Sequence, residues 1–158
     1  MARGVNHATL DLLRNEHQGI RLRLTTLQQA LADLQFFDEV GADLRSICIV
    51  KEVFHFLEKD LVAHMRREEK QLYGVIARAP ATARARIAMV EKGHEAYVQA
   101  LAKLRSALDL LEHGVNLEED IERVKQTGEE LGTMLWKHMD DEEQYIFPLA
   151  ESRLSKVS

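Results

Sequence analysis

Four stretches of this chain repeat apolar residues at alternating steps of three and four, and each carries one histidine in register with its apolar stripe. The first runs Leu10, Leu13, His17, Ile20, Leu24, Leu27, Leu31, Leu34, and the second Ile47, Val50, Phe54, Leu57, Leu61, His64, Glu68, Gln71, Val75. The third is Ile87, Val90, His94, Tyr97, Leu101, Leu104, Leu108, Leu111. The fourth is Ile121, Val124, Gly128, Leu131, Leu135, His138, Glu142, Tyr145, Leu149. Such spacing puts each series on one face of an α-helix, so the chain has four stripes to bury against one another. Only two prolines and eight glycines interrupt a sequence rich in Ala, Leu, Glu, Lys, Arg and Gln, all good helix formers. Short connections between long helices predict an all-α fold, an antiparallel up-down-up-down four-helix bundle without strands, filling residues 1–158 as one domain.

The helix ends follow from local chemistry. Thr9 is expected to cap the first helix, and the turn-like run Asp38–Asp43 to separate it from the second, which Pro80 stops. His113-Gly114 is expected to end the third helix, Asn116 with Glu119 three residues later to cap the fourth, and Pro148 to end or kink it.

The chain also repeats itself, since HMRREEKQLYGVI from His64 aligns without gaps on HMDDEEQYIFPLA from His138. His17 precedes His64 by 47 residues and His94 precedes His138 by 44, which predicts two copies of one hairpin about a pseudo-twofold axis. Each histidine stands 18 to 22 residues from the connection in its hairpin, roughly 27–33 Å at about 1.5 Å per residue, so antiparallel packing brings all four to one level. Glu68 and Glu142 follow their histidines by four residues and project with them.

Four imidazoles and two carboxylates inside a leucine-rich bundle would be costly without a partner. A metal resolves that cost. Neutral imidazole gives one lone pair and a carboxylate can bridge, so His17, His64, Glu68, His94, His138 and Glu142 suit two ions, with two histidines each and shared glutamates. The oxygen and nitrogen donors, with no thiolate, favour two iron ions, with manganese or zinc possible. Tyr97 and Tyr145 stand one turn from His94 and Glu142 and are candidates for a direct role as ligand, proton donor or radical quencher. Gln71 is the repeat counterpart of Tyr145 and would support the ligands. His7, His55 and His113 fail the register test and are expected in solvent, Glu69 and Glu143 at the rim or behind the ligands, and Cys48 and Trp136 in ordinary packing.

A formal net charge of −5, from 21 basic and 26 acidic residues, argues against nucleic acid or an anionic membrane as partner. The longest uncharged run, 24–32, is far below the ~20 residues that span a bilayer. With one cysteine and no apolar leader, the chain is expected in the cytoplasm, and a homodimer is allowed.

In their order, His17, His64 with Glu68, His94, and His138 with Glu142 resemble the pattern of the hemerythrin-like HHE cation-binding domain family, and HMRREE and HMDDEE resemble its double-glutamate signatures. The resemblance implies a non-haem di-iron centre in a four-helix bundle, used in that family for oxygen carriage, oxygen or redox sensing, nitric oxide and peroxide chemistry, and iron handling. Oxygen-carrying members have a further histidine four residues after the one on helix three, where this chain has Val98. They also place the helix-four acidic ligand five residues after its histidine, where Glu143 stands. The leading expectation is therefore a protein that reacts with oxygen, peroxide or nitric oxide, and the alternative a module that stores or senses iron or oxygen. A ferritin-like centre would need Glu-x-x-His on two helices, and only Glu91-x-x-His94 matches.

Overall fold

The computed structural model describes residues 5–34, 36–37, 41–42, 44–73, 76, 78–114 and 116–154. Helix α1 (His7–Asp33) is followed by a two-residue antiparallel pair, β1 (Phe36–Phe37) and β2 (Gly41–Ala42), with Phe36 opposite Ala42. The second stripe lies on α2 (Leu44–Phe56), a π-helical turn (Leu57–Leu61), α3 (Val62–Arg67) and a second π-helical turn (Glu68–Tyr73). The third is α4 (Ala81–His113). The fourth runs through α5 (Leu117–Asp141), a third π-helical turn (Glu142–Ile146) and α6 (Phe147–Leu154). The fold is all-helical apart from the short strand pair, which replaces part of the turn expected over 38–43; 38–40 and 43 lie outside the described residues. No helix among them is long and apolar enough to cross a membrane.

The ends differ in detail from expectation. Asn6, not Thr9, caps α1, because its Oδ1 accepts from the Thr9 backbone N–H at 2.8 Å and from the Thr9 hydroxyl at 2.9 Å. Asn116 caps α5 as expected, accepting from the Glu119 N–H at 3.2 Å. Pro80 directly precedes α4. Pro148 does not end the last segment, which stays helical to Leu154; it stands directly after the π-turn, two residues past Ile146.

Each long element packs on two others: α1 on α2 and α5, and α4 on α2 and α5. Gly128 stands in the fourth stripe because a Cβ there would meet Leu31 Cδ1 at 2.7 Å, so its absence lets α1 and α5 approach. The buried apolar residues fall into two separate clusters. One extends from Ile20 on α1 to Met139 on α5; the other joins Val5, Leu10 and Leu13 to Leu72, Tyr73, Ile76, Ile87, Ile146, Phe147 and Ala150. On every stripe the histidine falls between them: Leu13 and Ile20 flank His17, Leu61 and Leu72 flank His64, Ile87 and Tyr97 flank His94, and Leu135 and Ile146 flank His138.

Beyond the two glutamates the stripes do not continue as the heptad pattern predicts. A π-helical turn holds one residue more than an α-turn, and here it begins at Glu68 and at Glu142. Inward positions therefore move on by one: Leu72, Tyr73 and Ile76 are buried where Gln71 was expected, and Ile146 and Phe147 where Tyr145 was expected. Val75 lies outside the described residues.

Candidate metal centre

The polar layer between the two cores consists of His17, His64, Glu68, His94, His138 and Glu142, each at most 4% exposed. They form two groups whose ligand atoms lie within 4.8 Å of one another: His17, His64, Glu68 and Glu142 in one, and Glu68, His94, His138 and Glu142 in the other. The carboxylates straddle the groups. Glu68 Oε1 lies 3.2 Å from His17 Nε2 and 2.5 Å from His64 Nε2, whereas its Oε2 lies 3.3 Å from His94 Nε2. Glu142 reverses the arrangement, with Oε2 3.1 Å from His17 Nε2 and Oε1 2.9 Å from His138 Nε2.

All four Nε2 atoms thus turn toward the carboxylates, and three of the Nδ1 atoms are engaged behind them. His17 Nδ1 is 3.1 Å from Glu143 Oε1, His64 Nδ1 2.6 Å from Glu16 Oε2, and His94 Nδ1 3.0 Å from Glu69 Oε1. A carboxylate at Nδ1 keeps the proton there and leaves the Nε2 lone pair facing inward.

Without a cation the layer is incompletely satisfied. His64 Nε2, Glu68 Oε2 and Glu142 Oε2 are buried and make no hydrogen bond, although each has an opposite group nearby. Burial works against charge on His17 and His94, but the Glu142 and Glu68 carboxylates facing them carry both imidazoles up to about 10. His64 is raised too, by Glu16 and Glu68 against its burial. Burial likewise opposes ionisation of Glu142, yet the imidazoles of His138, His17 and His94 around it hold it well below the usual carboxylate range. Protons on the imidazoles therefore stand in for positive charge, and a pair of cations sharing both carboxylates would satisfy the orphaned atoms as well. The donor set fits two cations.

A model of the hemerythrin HHE cation-binding domain matches residues 8–150. The chain belongs to this family. No curated protein and no solved structure matches it significantly. The hemerythrin match assigns cation binding to the domain, and the His/Glu layer is where these residues could hold the ions.

Of the tyrosines expected at the hemerythrin-like centre, Tyr97 is buried, with its ring 4.7 Å from that of His138. Tyr145 is not there: it is 43% exposed beneath the Arg86 guanidinium, because the π-turn rotates it out of the stripe. The phenol that does reach the layer is Tyr73, which donates to Glu142 Oε1 at 2.5 Å and lies 3.4 Å from His94 Nε2. Burial, with the Glu142 charge, raises both its pKa and that of Tyr97. The repeat alignment pairs Tyr73 with Phe147, whose ring stacks on His17 at 5.2 Å, and that pairing was the available signal for it.

Glu16 was also missed, since nothing in the stripe pattern marks a residue adjacent to a ligand. Glu69 and Glu143 stand behind the histidines, as one of their two expected placements had it. Val98 is exposed on α4, so a histidine there would not point into the layer. His7, His55 and His113 are exposed as expected; Cys48 is exposed as well, and Trp136 is partly exposed, with the Arg21 guanidinium over its ring.

Proposed function

We propose that this chain is a non-haem di-iron protein of the cytoplasm that reacts with oxygen, peroxide or nitric oxide. His17 and His64 would hold one iron, His94 and His138 the other, and Glu68 and Glu142 both, with a solvent-derived bridge between the ions. The observation that carries this reading is that each buried carboxylate presents one oxygen to each histidine pair. Iron is preferred to manganese or zinc because the donors are nitrogen and oxygen with no thiolate. We further infer the antiparallel up-down-up-down bundle. It is supported by the order in which the four stripes pass the two cores, from small to large on α1 and α4 and from large to small on the other two.

When bound, iron would supply ligand exchange and electron transfer to a small oxidant. The protein's own part is to set that chemistry in a dry layer. Glu16, Glu69 and Glu143 fix the imidazole tautomers. Phe147 and Tyr97 cover His17 and His138 with their rings. Tyr73 keeps a proton on its hydroxyl, 2.5 Å from Glu142 Oε1. An equal supply of two histidines to each position favours turnover over carriage, which is better served by one saturated ion and one open ion.

Metal analysis with an optical spectrum of the aerobically purified protein tests the centre. Two iron ions per chain with near-ultraviolet absorption are expected, and one ion per chain, or zinc alone, overturns the reading. Stopped-flow mixing of the reduced protein with oxygen tests the reaction: oxidation that vacuum does not reverse is expected, with consumption of added hydrogen peroxide by the oxidised form. A spectral change that reverses under vacuum would make the chain a carrier or sensor instead.

A further inference from the structure

The residues behind the two histidine pairs are not equivalent under the hairpin repeat, although the pairs share both carboxylates. Behind the first pair each Nδ1 meets a carboxylate that an arginine holds in turn. Arg21 donates to both oxygens of Glu143, at 2.6 and 2.9 Å, and Glu143 contacts His17. Arg67 donates to Glu16 Oε2 at 2.9 Å, and the same oxygen lies 2.6 Å from His64 Nδ1.

Behind the second pair the support is thinner. His94 Nδ1 meets Glu69, whose side chain is 48% exposed and which pairs with no arginine among the described residues. No carboxylate among them pairs with His138 Nδ1. Glu16 precedes His17 by one residue, and the residue in that place before His94 is Gly93. The Tyr97 hydroxyl fills the gap, 2.9 Å from where a Gly93 Cβ would stand. A third difference points the same way. Tyr73 donates to Glu142 Oε1, the oxygen that faces His138, while its repeat counterpart Phe147 has no hydroxyl to offer Glu68.

Each difference bears on how strongly a cation is held. A carboxylate on the far nitrogen of an imidazole makes the near nitrogen a better donor, and losing one such partner typically weakens metal binding about 10–100-fold. A carboxylate oxygen that already accepts a phenol hydrogen bond has less charge left to give. We propose that the two positions bind divalent cations unequally: the His17/His64 position fills first and empties last, and the His94/His138 position, beside Tyr73 and Tyr97, is the exchangeable one. The proposal rests on the dinuclear reading above.

Titrating metal-free protein with Co(II) against a competing chelator, followed by visible absorption and by equilibrium dialysis, tests it without reference to turnover. Two steps are expected, separated by about tenfold or more in Kd. Glu16→Gln is expected to weaken the first step about 10–100-fold and leave the second in place, while Glu69→Gln weakens only the second. Tyr73→Phe is expected to tighten the second step and narrow the gap. Two ions bound with one common Kd, or Glu16→Gln weakening both steps alike, would overturn the inequality while leaving a dinuclear centre intact. A single ion per wild-type chain would overturn the dinuclear reading and the inequality with it. Circular dichroism of each variant checks that its helices are retained, and Glu16, on the partly exposed side of α1, carries no core packing whose loss would unfold the chain.

Discussion

On one side of the histidine layer 24 buried apolar residues, from Ile20 to Met139, pack into one core, whereas on the other only 11, from Val5 to Ala150, close the end of the molecule among the described residues. The larger core is built mostly from α-helix, and although Leu57 and Leu61 lie on the π-turn between α2 and α3, both stay buried in the stripe there. The smaller core has another origin. Tyr73 and Phe147 reach it because π-turns beginning at Glu68 and Glu142 advance the inward positions by one residue. Its packing is therefore geometrically tied to the two carboxylates, and that of the larger core is not.

The strongest way to break this contrast is to strip the cations. A ligand that binds only the folded state at a free concentration about a thousand times its Kd contributes about 4 kcal/mol, so two ions contribute about 8 kcal/mol under those conditions. We expect the metal-free protein to melt lower, and in hydrogen exchange to lose protection first around Leu13, Tyr73 and Phe147, while Leu31, Leu104 and Leu131 keep theirs. Equal loss in both cores would refute the coupling.

Single truncations sharpen the contrast at smaller cost. Phe147→Ala is expected to cost about 3–5 kcal/mol and also to weaken cation binding, because its ring stacks on His17. Leu131→Ala, in the larger core, is expected to cost about 2–5 kcal/mol with both ions retained. Chemical denaturation and metal titration of each variant separate the two effects.

Changing pH tests the same contrast through the protons of the layer. His17 and His94 are raised to about 10 in the folded protein, above about 6.5 in the unfolded chain. Their contribution is fully present below about pH 6.5 and is lost as pH rises toward about 10. Metal-free protein is thus expected to melt at progressively lower temperature between pH 7 and 10, whereas protein loaded with metal, whose imidazoles carry no such protons, does not follow that trend. Loading at pH 7 is expected to release at least these two protons, measurable by calorimetry in buffers of different ionisation enthalpy.

How much of the site was legible shows in its residues. The six layer residues were readable because a ligand on a helix must share the period of the apolar stripe that buries it, and His17, His64, His94 and His138 do. The same register favoured Glu142 over Glu143 but the family resemblance left that choice open, and the structure buries Glu142 and places Glu143 behind His17. Tyr145 was misplaced and Tyr73 overlooked for one reason: a stripe extrapolated with α-helical geometry runs one residue short past the π-turns that begin at Glu68 and Glu142. Glu16 lay outside the stripe and became visible only when α1 was set beside His64.

The sequence by itself determined the four stripes, the repeated hairpin and the polar residues that interrupt the apolar faces, because periodicity and composition are local properties of a chain. The π-turns at Glu68 and Glu142 were decided by the tertiary structure, where an inserted residue is tolerated when it buries Tyr73 and Phe147 instead of Gln71 and Tyr145. So was the unequal backing of the two histidine pairs: Arg21 with Glu143, and Arg67 with Glu16, are contacts across 122 and 51 residues of chain that no local pattern encodes.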